Sequence, residues 1–336
     1  MTPNVGAVPF LALASGAAKV SFGAFPSHRS RRRRNLRNKE RAAADTVPAV
    51  LKQLWPEPPR AAGFIVTIYG DIVEPRGGVL WMGNLIEVCG TIGISESLVR
   101  TAVSRLVSAG QLSGERDGRR SFYRLTDRAR VEFLQAARIL FDPEPAPEAF
   151  LIAPRPPAEQ EAGFLRQGFA VAGAFLIGPD RAPSTVPARS GLPGPVFRAE
   201  TVAGAEELPA FASRYWDLES LADAYSVFLE RYGRLSSYLA SGEPLHGADA
   251  MTARLMLVHD YRFVLLRDPR LPVDALPENW PGYEARTLFA ELYRRLAPET
   301  DRHTGMHLQS VSGILPASTE ATEKRLRTIA GNTIEA

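Results

Sequence analysis

Five residues with hydrogen-bonding side chains recur between positions 96 and 109, at spacings that place them on one face of a helix. They are Ser97, Arg100, Thr101, Ser104 and Arg105. An arginine can donate two parallel hydrogen bonds to a base edge, and short hydroxyl side chains let the helix backbone approach closely. The set contains no acid. This pattern predicts a face that reads base edges in the major groove of DNA.

The predicted helix at 96–109 has clear signals at both ends. Ser95 is a favourable N-cap and joins the predicted DNA-binding residues, and Gly110 supplies the C′ position. The residues expected to point into the core are Leu98, Val99, Ala102, Val103 and Leu106. Apolar helices are predicted at 64–72 and 80–89, with a tight glycine turn at Gly93. Two helices, such a turn and this third helix predict a helix-turn-helix.

Two short strands are predicted directly after this helix, at 111–115 and 121–125. Asp117-Gly118 between them is a strong hairpin signal, because glycine tolerates the positive φ that the favoured turns require. The predicted DNA contacts of the hairpin are Arg116, Arg119, Arg120, Ser121 and Tyr123. Taken alone, either piece has a plain alternative, a core helix or a solvated hairpin. Their order favours a winged helix whose arginines contact phosphates or the minor groove.

The overall composition is that of a globular protein. The chain has 336 residues, of which 45% are hydrophobic and 23% charged, enough for two or three domains. No apolar run approaches the ~20 residues that span a bilayer, so no membrane partner is expected. Cys89 is the single cysteine, which excludes an intramolecular disulfide and favours a reducing, cytoplasmic location.

The net charge of +3 is unevenly distributed. Eight basic residues and one acid lie at 29–41. Such a local excess of positive charge indicates a segment that can bind a polyanion. A solvated tail and an arm that binds nucleic acid are the two interpretations. Residues 1–46 as a whole are predicted to be disordered.

The pattern along the chain predicts an α+β fold. A DNA-binding domain is expected at 47–145, a small mixed domain at 146–207, a helical domain at 208–310 and a disordered tail at 311–336. Prolines mark linkers around 143–157 and a loop at 183–195, and 168–179 is predicted to be one buried strand.

A long apolar stripe predicts the first helix of the helical domain. Its members, spaced alternately three and four apart, are Leu218, Leu221, Tyr225, Phe228, Tyr232, Leu235 and Leu239. Such a stripe needs a partner, which is either another helix of the same chain or a second copy in a dimer. Two further helices are predicted at about 250–266 and 283–297.

Enzyme classes find little support in the sequence. No glycine-rich phosphate loop and no Gly-x-Ser-x-Gly elbow are present. His303 and His307 have the spacing of metal ligands, but Thr304-Gly305 between them makes a helix there doubtful. No catalytic residue, metal site or cofactor is therefore predicted. RNA processing by the middle domain is the alternative from another functional class.

Several longer runs resemble one known family. They are Phe-Ile-Val-Thr-Ile-Tyr-Gly-Asp at 64–71, Pro-Arg-Gly-Gly at 75–78, and the stretches at 93–106, 118–126, 258–262, 265–272 and 276–282. Together they resemble the phenylacetic-acid-degradation repressors, or PaaX-like regulators, over about 60–305. Runs of this length are more specific than a short motif.

The resemblance implies three domains and a regulatory function. The domains are an N-terminal winged helix, a small ferredoxin-like domain similar to a CRISPR-associated endoribonuclease, and a helical C-terminal domain. The function is that of a homodimeric repressor of a phenylacetate-type operon, bound to a palindromic double-stranded operator and released by phenylacetyl-coenzyme A or a related acyl-coenzyme A. Phe150 and Phe175 stand where the family pattern leads us to expect tryptophans. A regulator of another pathway with a different effector is therefore the alternative.

The candidate effector-binding residues are His259, Arg262 and Arg267, on a predicted helix that is otherwise apolar. The two arginines could bind phosphates of the effector, or they could pair with Asp260 and Asp268. Structural pairing is the favoured interpretation, because buried arginines are usually paired.

Overall fold

The computed structural model describes residues 49–142, 145–181, 192–242 and 244–331. Helices predominate, together with three small antiparallel sheets, which confirms the predicted α+β class. In these ranges no helix is long and apolar enough to cross a membrane. The predictions for 1–46, with the basic run at 29–41, and for the larger part of the loop at 183–195 concern residues outside the described ranges.

The chain divides into two compact units. The first draws on Met1–Leu134, Gly233–His259 and Ala290–Ala336, and the second on Gln135–Tyr232 and Asp260–Phe289. The boundaries expected from the sequence, at 47–145, 146–207 and 208–310, stay predictions.

The first unit begins with helices, a short strand and a hairpin. Its elements up to residue 134 are α1 Ala49–Leu54, α2 Ala61–Ile68, a π-helical turn Tyr69–Val73, a 3₁₀ turn Glu74–Arg76, β1 Val79–Trp81, α3 Met82–Gly90, α4 Glu96–Ser108, β2 Leu112–Asp117, β3 Arg120–Leu125 and the start of α5 Asp127–Phe141. The helix predicted at 80–89 is wrong at its start, because Leu80 and Trp81 pair with β3 as part of a strand.

The three strands of this region form a sheet in the order β1-β3-β2. The β2–β3 register runs from Leu112 opposite Leu125 to Asp117 opposite Arg120. Leu80, Leu112 and Leu125 are buried in the core of this unit, as are nearly all residues of α2. This arrangement buries one side of the hairpin base and leaves its tip exposed.

The remaining elements of the first unit come from the C-terminal half. They are parts of α8 Leu218–Ala240, α9 Gly247–Leu265 and α10 Pro281–His307, followed by β8 Gln309–Ser310, β9 Gly313–Ile314 and α11 Glu320–Gly331. The helix predicted at 283–297 continues to His307 with Pro298 inside it, so the doubt about a helix at 303–307 was wrong.

The disordered tail predicted at 311–336 is wrong for 311–331. Leu315 and Ile329 are buried, each only 2% exposed, and their burial ties the segment to the rest of the unit. Thr319 caps α11, since its Oγ1 accepts a hydrogen bond from the Thr322 backbone N–H at 3.2 Å. Sequence analysis missed these buried side chains and this cap, because the segment is short and mostly polar.

The second unit contains a four-stranded antiparallel sheet. Its elements are the end of α5, β4 Phe150–Pro154, α6 Ala158–Leu165, β5 Ala170–Ala172, β6 Phe175–Pro179, β7 Phe197–Ala199, α7 Leu208–Tyr215 and the remaining parts of α8, α9 and α10. The strand order is β5-β6-β4-β7. The single strand predicted at 168–179 is wrong, because a turn with Gly173 at φ +65° divides it into β5 and β6.

The predicted apolar stripe of α8 is confirmed, since all seven of its side chains are buried. In the second unit Phe228 packs against Tyr261, with ring centroids 5.3 Å apart, and Tyr225 meets Trp280 at 5.9 Å. These partners belong to the same chain. Of the two alternatives for this stripe, a partner helix within the chain or a second copy in a dimer, the structure therefore shows the first.

Candidate nucleic-acid interface

A tight turn and an N-cap fix the start of α4. Gly93 adopts φ +83°, a conformation that L side chains rarely adopt. Ser95 is extended, and its Oγ accepts a hydrogen bond from the Leu98 backbone N–H at 3.4 Å. The predicted N-cap is therefore confirmed. The Ser95 hydroxyl is therefore occupied in capping the N-terminus of α4.

The outward face of α4 carries the five predicted residues. Ser97, Arg100, Thr101, Ser104 and Arg105 are all exposed. At about 100° per residue, the three hydroxyl residues form the centre of the face and the two arginines flank it. The Thr101 hydroxyl donates to the Ser97 carbonyl at 2.8 Å, so it keeps only acceptor capacity for an external donor. The structure thus brings these residues together on one surface, with short hydroxyl side chains at its centre and positively charged side chains on both sides.

Arg100 already has a partner on its own helix. Its guanidinium forms an ion pair with Glu96 at 2.8 Å, and both side chains are about half exposed. Exposed pairs of this kind contribute about 0–1 kcal/mol. An external acceptor can therefore displace Glu96 at small cost.

Leu98 is placed differently from the expectation. The sequence analysis put it in the core, yet it is 58% exposed. The buried stripe consists of Val99, Ala102, Val103 and Leu106. Leu98 lies roughly 90° from the centre of that stripe at 100° per residue, where no described residue buries it.

The hairpin presents its tip to solvent. Gly118 occupies the first of the two turn residues with φ +56°, the position where type II′ hairpin turns place glycine. Strands β2 and β3 are longer than predicted and reach the turn directly. Arg116 and Arg119 are exposed at this tip.

The other predicted hairpin residues are engaged within the protein. Arg120 is exposed, but its guanidinium lies 5.0 Å from the Trp81 ring centroid and donates to Gln309 Oε1 at 2.7 Å. Tyr123 is half-buried, and its backbone carbonyl accepts from the Tyr69 hydroxyl at 2.9 Å. Ser121 is also half-buried. The contacts of Arg120 and Tyr123 hold strand β3 against the rest of the unit.

Three arginines of this surface have guanidinium groups that are free for an external partner. Across the described ranges, the guanidinium groups of Arg105, Arg116 and Arg119 make neither a hydrogen bond nor an ion pair. Arg124, by contrast, pairs with Glu115. Three solvated guanidinium groups on one helix and the adjacent hairpin can bind an external polyanion without losing an internal contact.

Behind this surface lies a buried ionic cluster that sequence analysis missed. Arg254, 1% exposed, donates to both carboxylate oxygens of Asp71 at 2.9 and 3.0 Å and to Asp301 at 3.0 Å. The Tyr293 hydroxyl donates to Asp71 at 2.7 Å, and the Arg254 guanidinium stacks 4.2 Å from the Tyr293 ring centroid. A fully buried charge of either sign is stable only with such partners.

The pKa values follow from these contacts. Burial by itself would raise the pKa of Asp71, but the adjacent Arg254 and Arg325 hold it below its ordinary value. Burial opposes the charged form of Arg254, and Asp71 more than compensates, so the pKa of that guanidinium is raised. Burial raises the pKa of Tyr293 to about 12. At neutral pH, Asp71 and Arg254 are therefore charged, and Tyr293 is the neutral hydroxyl donor between them.

A sequence signal for this cluster does exist. Asp71 follows the apolar run at 64–68, and Arg254 interrupts the apolar run at 253–258. A single charge inside an otherwise apolar helix predicts a buried ion pair. Which acid meets which arginine depends on a separation of 183 residues, which no local pattern encodes.

Among the candidate effector-binding residues, His259 lies in the core of the first unit. It is 5% exposed, its Nδ1 is 2.9 Å from Thr67 Oγ1, and its ring meets Phe64 edge-on at 5.7 Å. These contacts belong to the packing of α9 against α2.

Arg262 and Arg267 belong to the second unit. Arg262 is buried, and burial lowers its pKa to about 10, whereas Arg267 is exposed. The carboxylate of Asp260 accepts from Arg231 at 2.6 Å and from Tyr232 at 2.9 Å. The Asp268 carboxylate accepts from the Tyr225 hydroxyl at 2.7 Å and from a backbone N–H at 2.6 Å.

Two further features lie in the first unit. The rings of His303 and His307 lie next to each other on one face of α10, with centroids 4.5 Å apart and planes tilted by 34°. A cavity of about 340 Å³ opens beside the turn before α4, between Trp55 of the N-terminal segment and Thr252 of α9. None of the three candidate effector residues lines this cavity.

Two comparisons, one with protein families and one with known sequences, both find similarity to PaaX proteins. Residues 60–129 match the PaaX-like protein family, and residues 216–306 match the PaaX-like protein C-terminal domain. The transcriptional repressor PaaX of Escherichia coli (strain K12) is 29% identical over 290 residues, which cover 77% of this chain and 88% of that protein.

A solved structure, the uncharacterized protein Rv0674 from Mycobacterium tuberculosis, is 23% identical and gives a TM-score of 0.41 over 66% of this chain and 90% of its own. The two family matches cover the region of α2 to β3 and most of the C-terminal helices. Together with the E. coli relative, they show that this chain is similar to PaaX-like proteins in both of these regions.

Proposed function

We propose that this protein is a DNA-binding transcriptional repressor and not an enzyme. The observation that carries the proposal is the exposed face of α4, with arginines flanking a stripe of hydroxyl residues, next to a hairpin whose tip carries Arg116 and Arg119. Repression itself is supported by the E. coli relative, which is a transcriptional repressor. The DNA-binding surface comprises Ser95, Ser97, Arg100, Thr101, Ser104, Arg105, Arg116, Arg119, Arg120, Ser121 and Tyr123.

The architecture proposed for this region is a winged helix. Three helices followed by a β2–β3 hairpin, which pairs with the short strand between the first two, support it. In this arrangement α4 enters the major groove, and the hairpin lies against phosphates or the minor groove. Arg100 and Arg105 then read base edges, while Arg116 and Arg119 contact the backbone.

We further propose a ferredoxin-like middle domain similar to a CRISPR-associated endoribonuclease. The strand–helix–strand–strand order of β4, α6, β5 and β6, and the sheet order β5-β6-β4-β7, support the ferredoxin-like topology. The helices after it form the C-terminal domain. The protein acts in the cytoplasm as a homodimer on a palindromic double-stranded operator.

The proposed effector is phenylacetyl-coenzyme A or a related acyl-coenzyme A, with a phenylacetate-type operon as the target. Arg262 and Arg267 are the proposed phosphate contacts. For His259, the bond to Thr67 favours a structural role at the back of α2 over direct contact with the effector. A regulator of another pathway, with a different acyl effector, is the alternative.

The proposed mechanism is a population shift. Two winged helices must lie one helical turn apart, about 34–36 Å, or a multiple of it, to dock on one face of DNA. An effector that binds more tightly to a dimer with a different spacing lowers operator affinity by its differential affinity for the two states.

Fluorescence anisotropy with the intergenic DNA upstream of the protein's own gene tests this function. We expect tight binding that weakens as salt rises and is relieved by phenylacetyl-coenzyme A. Tight binding that the thioester does not relieve would keep the repressor and favour the alternative effector. Absence of salt-sensitive binding to this DNA and to a palindromic operator of a relative would refute the proposal.

A further inference from the structure

The chain continues past the residues that match the C-terminal family domain, which end at 306. Residues 308–331, here called the C-terminal strap, form the β8–β9 hairpin and α11. All the strap contacts described below lie within the first unit.

The first anchor of the strap is Asn84, at the start of α3 and only 3% exposed. Its Nδ2 donates to the His307 carbonyl at 3.0 Å, and its Oδ1 accepts from the Gln309 backbone N–H at 2.8 Å. One side-chain amide thus satisfies two backbone groups, as a neighbouring strand would. This pair of bonds sets the position of Gln309 beside the sheet.

The second anchor lies behind α2. Arg76, 3% exposed, donates to the Pro316 and Ala317 carbonyls, each at 3.0 Å, and the Thr319 hydroxyl donates to the Pro75 carbonyl at 2.8 Å. Gly305 permits this approach, because a Cβ there would come within 3.0 Å of the Ala317 backbone. The strap is therefore held on both sides of its hairpin.

The third anchor joins α11 to the buried ionic cluster. Arg325 donates to the Asp71 backbone carbonyl at 3.2 Å and lies 3.4 Å from the Asp71 carboxylate. The π-helical turn, whose wider spacing departs from the α-helical hydrogen-bond pattern, thereby receives a donor from the strap.

From these anchors one side chain reaches the DNA-binding surface. Gln309 Oε1 accepts from Arg120 Nη1 at 2.7 Å, and the Arg120 guanidinium lies over Trp81. Trp81 is opposite Phe122 in the β1–β3 register, and Phe122 is 3% exposed. Arg120 is the first residue of β3, directly after the hairpin turn. The tip of the hairpin is therefore tethered to the strap through Arg120.

We propose that the C-terminal strap is a positioning element of the DNA-binding surface. Gln309, acting through Arg120 on Trp81, sets the direction of the β2–β3 hairpin and so places Arg116 and Arg119. Gln309 itself does not contact DNA. In addition to its place in the proposed DNA-binding surface, Arg120 holds the hairpin, and the loss of its guanidinium group removes both the contact with Trp81 and the bond to Gln309. This proposal rests on the proposed function.

Hydrogen exchange without DNA tests the tether separately from DNA binding. In the full-length protein, Gln309→Ala should raise amide exchange of the hairpin at 112–120 by roughly three- to tenfold, the range for loss of one modest hydrogen bond. Peptides from α9 should be unchanged. Ser312→Ala, at an exposed position of the same strap hairpin, is the matched control and should leave the exchange of 112–120 unchanged. Unchanged exchange in Gln309→Ala would overturn the proposal.

Binding to a duplex then tests the consequence. Gln309→Ala should weaken binding roughly three- to tenfold with an unchanged thermal midpoint, and Gln309→Ala combined with Arg120→Ala should bind like Arg120→Ala alone. Additive losses would show that the two residues act independently and would overturn the proposal. If the wild type fails to bind DNA with salt dependence, the proposed function fails, and the hydrogen-exchange result still decides whether the strap tethers the hairpin.

Discussion

Arginine side chains occupy two contrasting environments in the first unit. Arg254 is buried and bonded to two aspartates and a tyrosine. Arg116 and Arg119, at the hairpin tip, are exposed and make no ion pair with any described residue. A guanidinium keeps its charge in both places, so its burial and its partners determine its role. In one region arginine stabilises the fold, and in the other it is available to an external anion.

This contrast separates structural from functional charge. Hydrogen bonds and opposite charges within the buried cluster compensate the desolvation of its charged groups. Removing one member leaves the remaining charges buried without that compensation. The tip arginines, being exposed and without an ion pair to any described residue, contribute little to folding and remain available to an external anion. Arg120 stands between the two classes, because it is exposed and yet bonded to Trp81 and Gln309.

The largest expected effect is on the buried side. Arg254→Met leaves the Asp71 carboxylate buried without its main partner, and we expect a loss of about 3–5 kcal/mol in the free energy of unfolding. Urea denaturation followed by circular dichroism measures it. Arg119→Met makes the same chemical change at an exposed position and should alter stability by less than about 0.5 kcal/mol. Equal losses of stability in the two variants would contradict the distinction between a structural buried arginine and an exposed arginine that contributes little to folding.

Acid should weaken the buried cluster in a defined direction. The pKa of Asp71 is lowered in the folded state because Arg254 and Arg325 outweigh its burial, whereas an unfolded aspartate titrates at about 3.9. The unfolded chain therefore takes up the proton first. The stability from ionised Asp71 is present above that value and is lost as the pH falls towards the lower folded value. The difference in urea midpoint between wild type and Asp71→Asn should shrink in this acidic range; a difference that stays constant would contradict the assignment.

On the exposed side, Arg100→Ala should cost about 1–3 kcal/mol of operator affinity and relax specificity at one base position. The reason is that, in the proposed complex, Arg100 gives up a weak surface pair with Glu96 and gains a bidentate base contact. Anisotropy with operator variants measures the change, and Arg128→Ala on α5, also exposed and paired with a glutamate, is the control. A loss that is equal for all sequences would move Arg100 from base reading to phosphate contact.

The smallest expected effect concerns Leu98. Because its side chain is 58% exposed, Leu98→Ala should change the free energy of unfolding by no more than about 0.5 kcal/mol. Leu106→Ala, at a buried position of the same helix, should cost about 2–5 kcal/mol. Thermal or urea unfolding compares the two. Similar losses would mean that Leu98 is covered, for instance by a second copy of the chain.

Local signals were sufficient to predict α4 and the hairpin, the region proposed to bind DNA. The N-cap at Ser95, the apolar period of α4 and the glycine in the hairpin turn each act over a few residues, and α4 and the hairpin are found close to the predicted positions. The stripe of α8 was equally readable, because one repeating spacing extends over its whole length. These features depend on propensity and periodicity, which a sequence displays directly.

Long-range contacts explain what the sequence did not reveal. Leu98 was misplaced because burial at the edge of a stripe depends on whether a neighbouring element covers it. The strap was taken for a disordered tail because its order comes from Asn84, Arg76 and Asp71, more than 200 residues away. The bond between Arg120 and Gln309 was not foreseen for the same reason, since it spans 189 residues.

The salt dependence of duplex binding tests most directly the claim that the exposed arginines bind DNA. For wild type and Arg119→Ala, the logarithm of the association constant is measured by anisotropy against the logarithm of salt concentration, with Arg327→Ala on α11 as the control. We predict a steep negative slope for wild type and for the control, and a slope reduced by roughly one in Arg119→Ala. A flat wild-type slope, or identical slopes for all three proteins, would contradict the account.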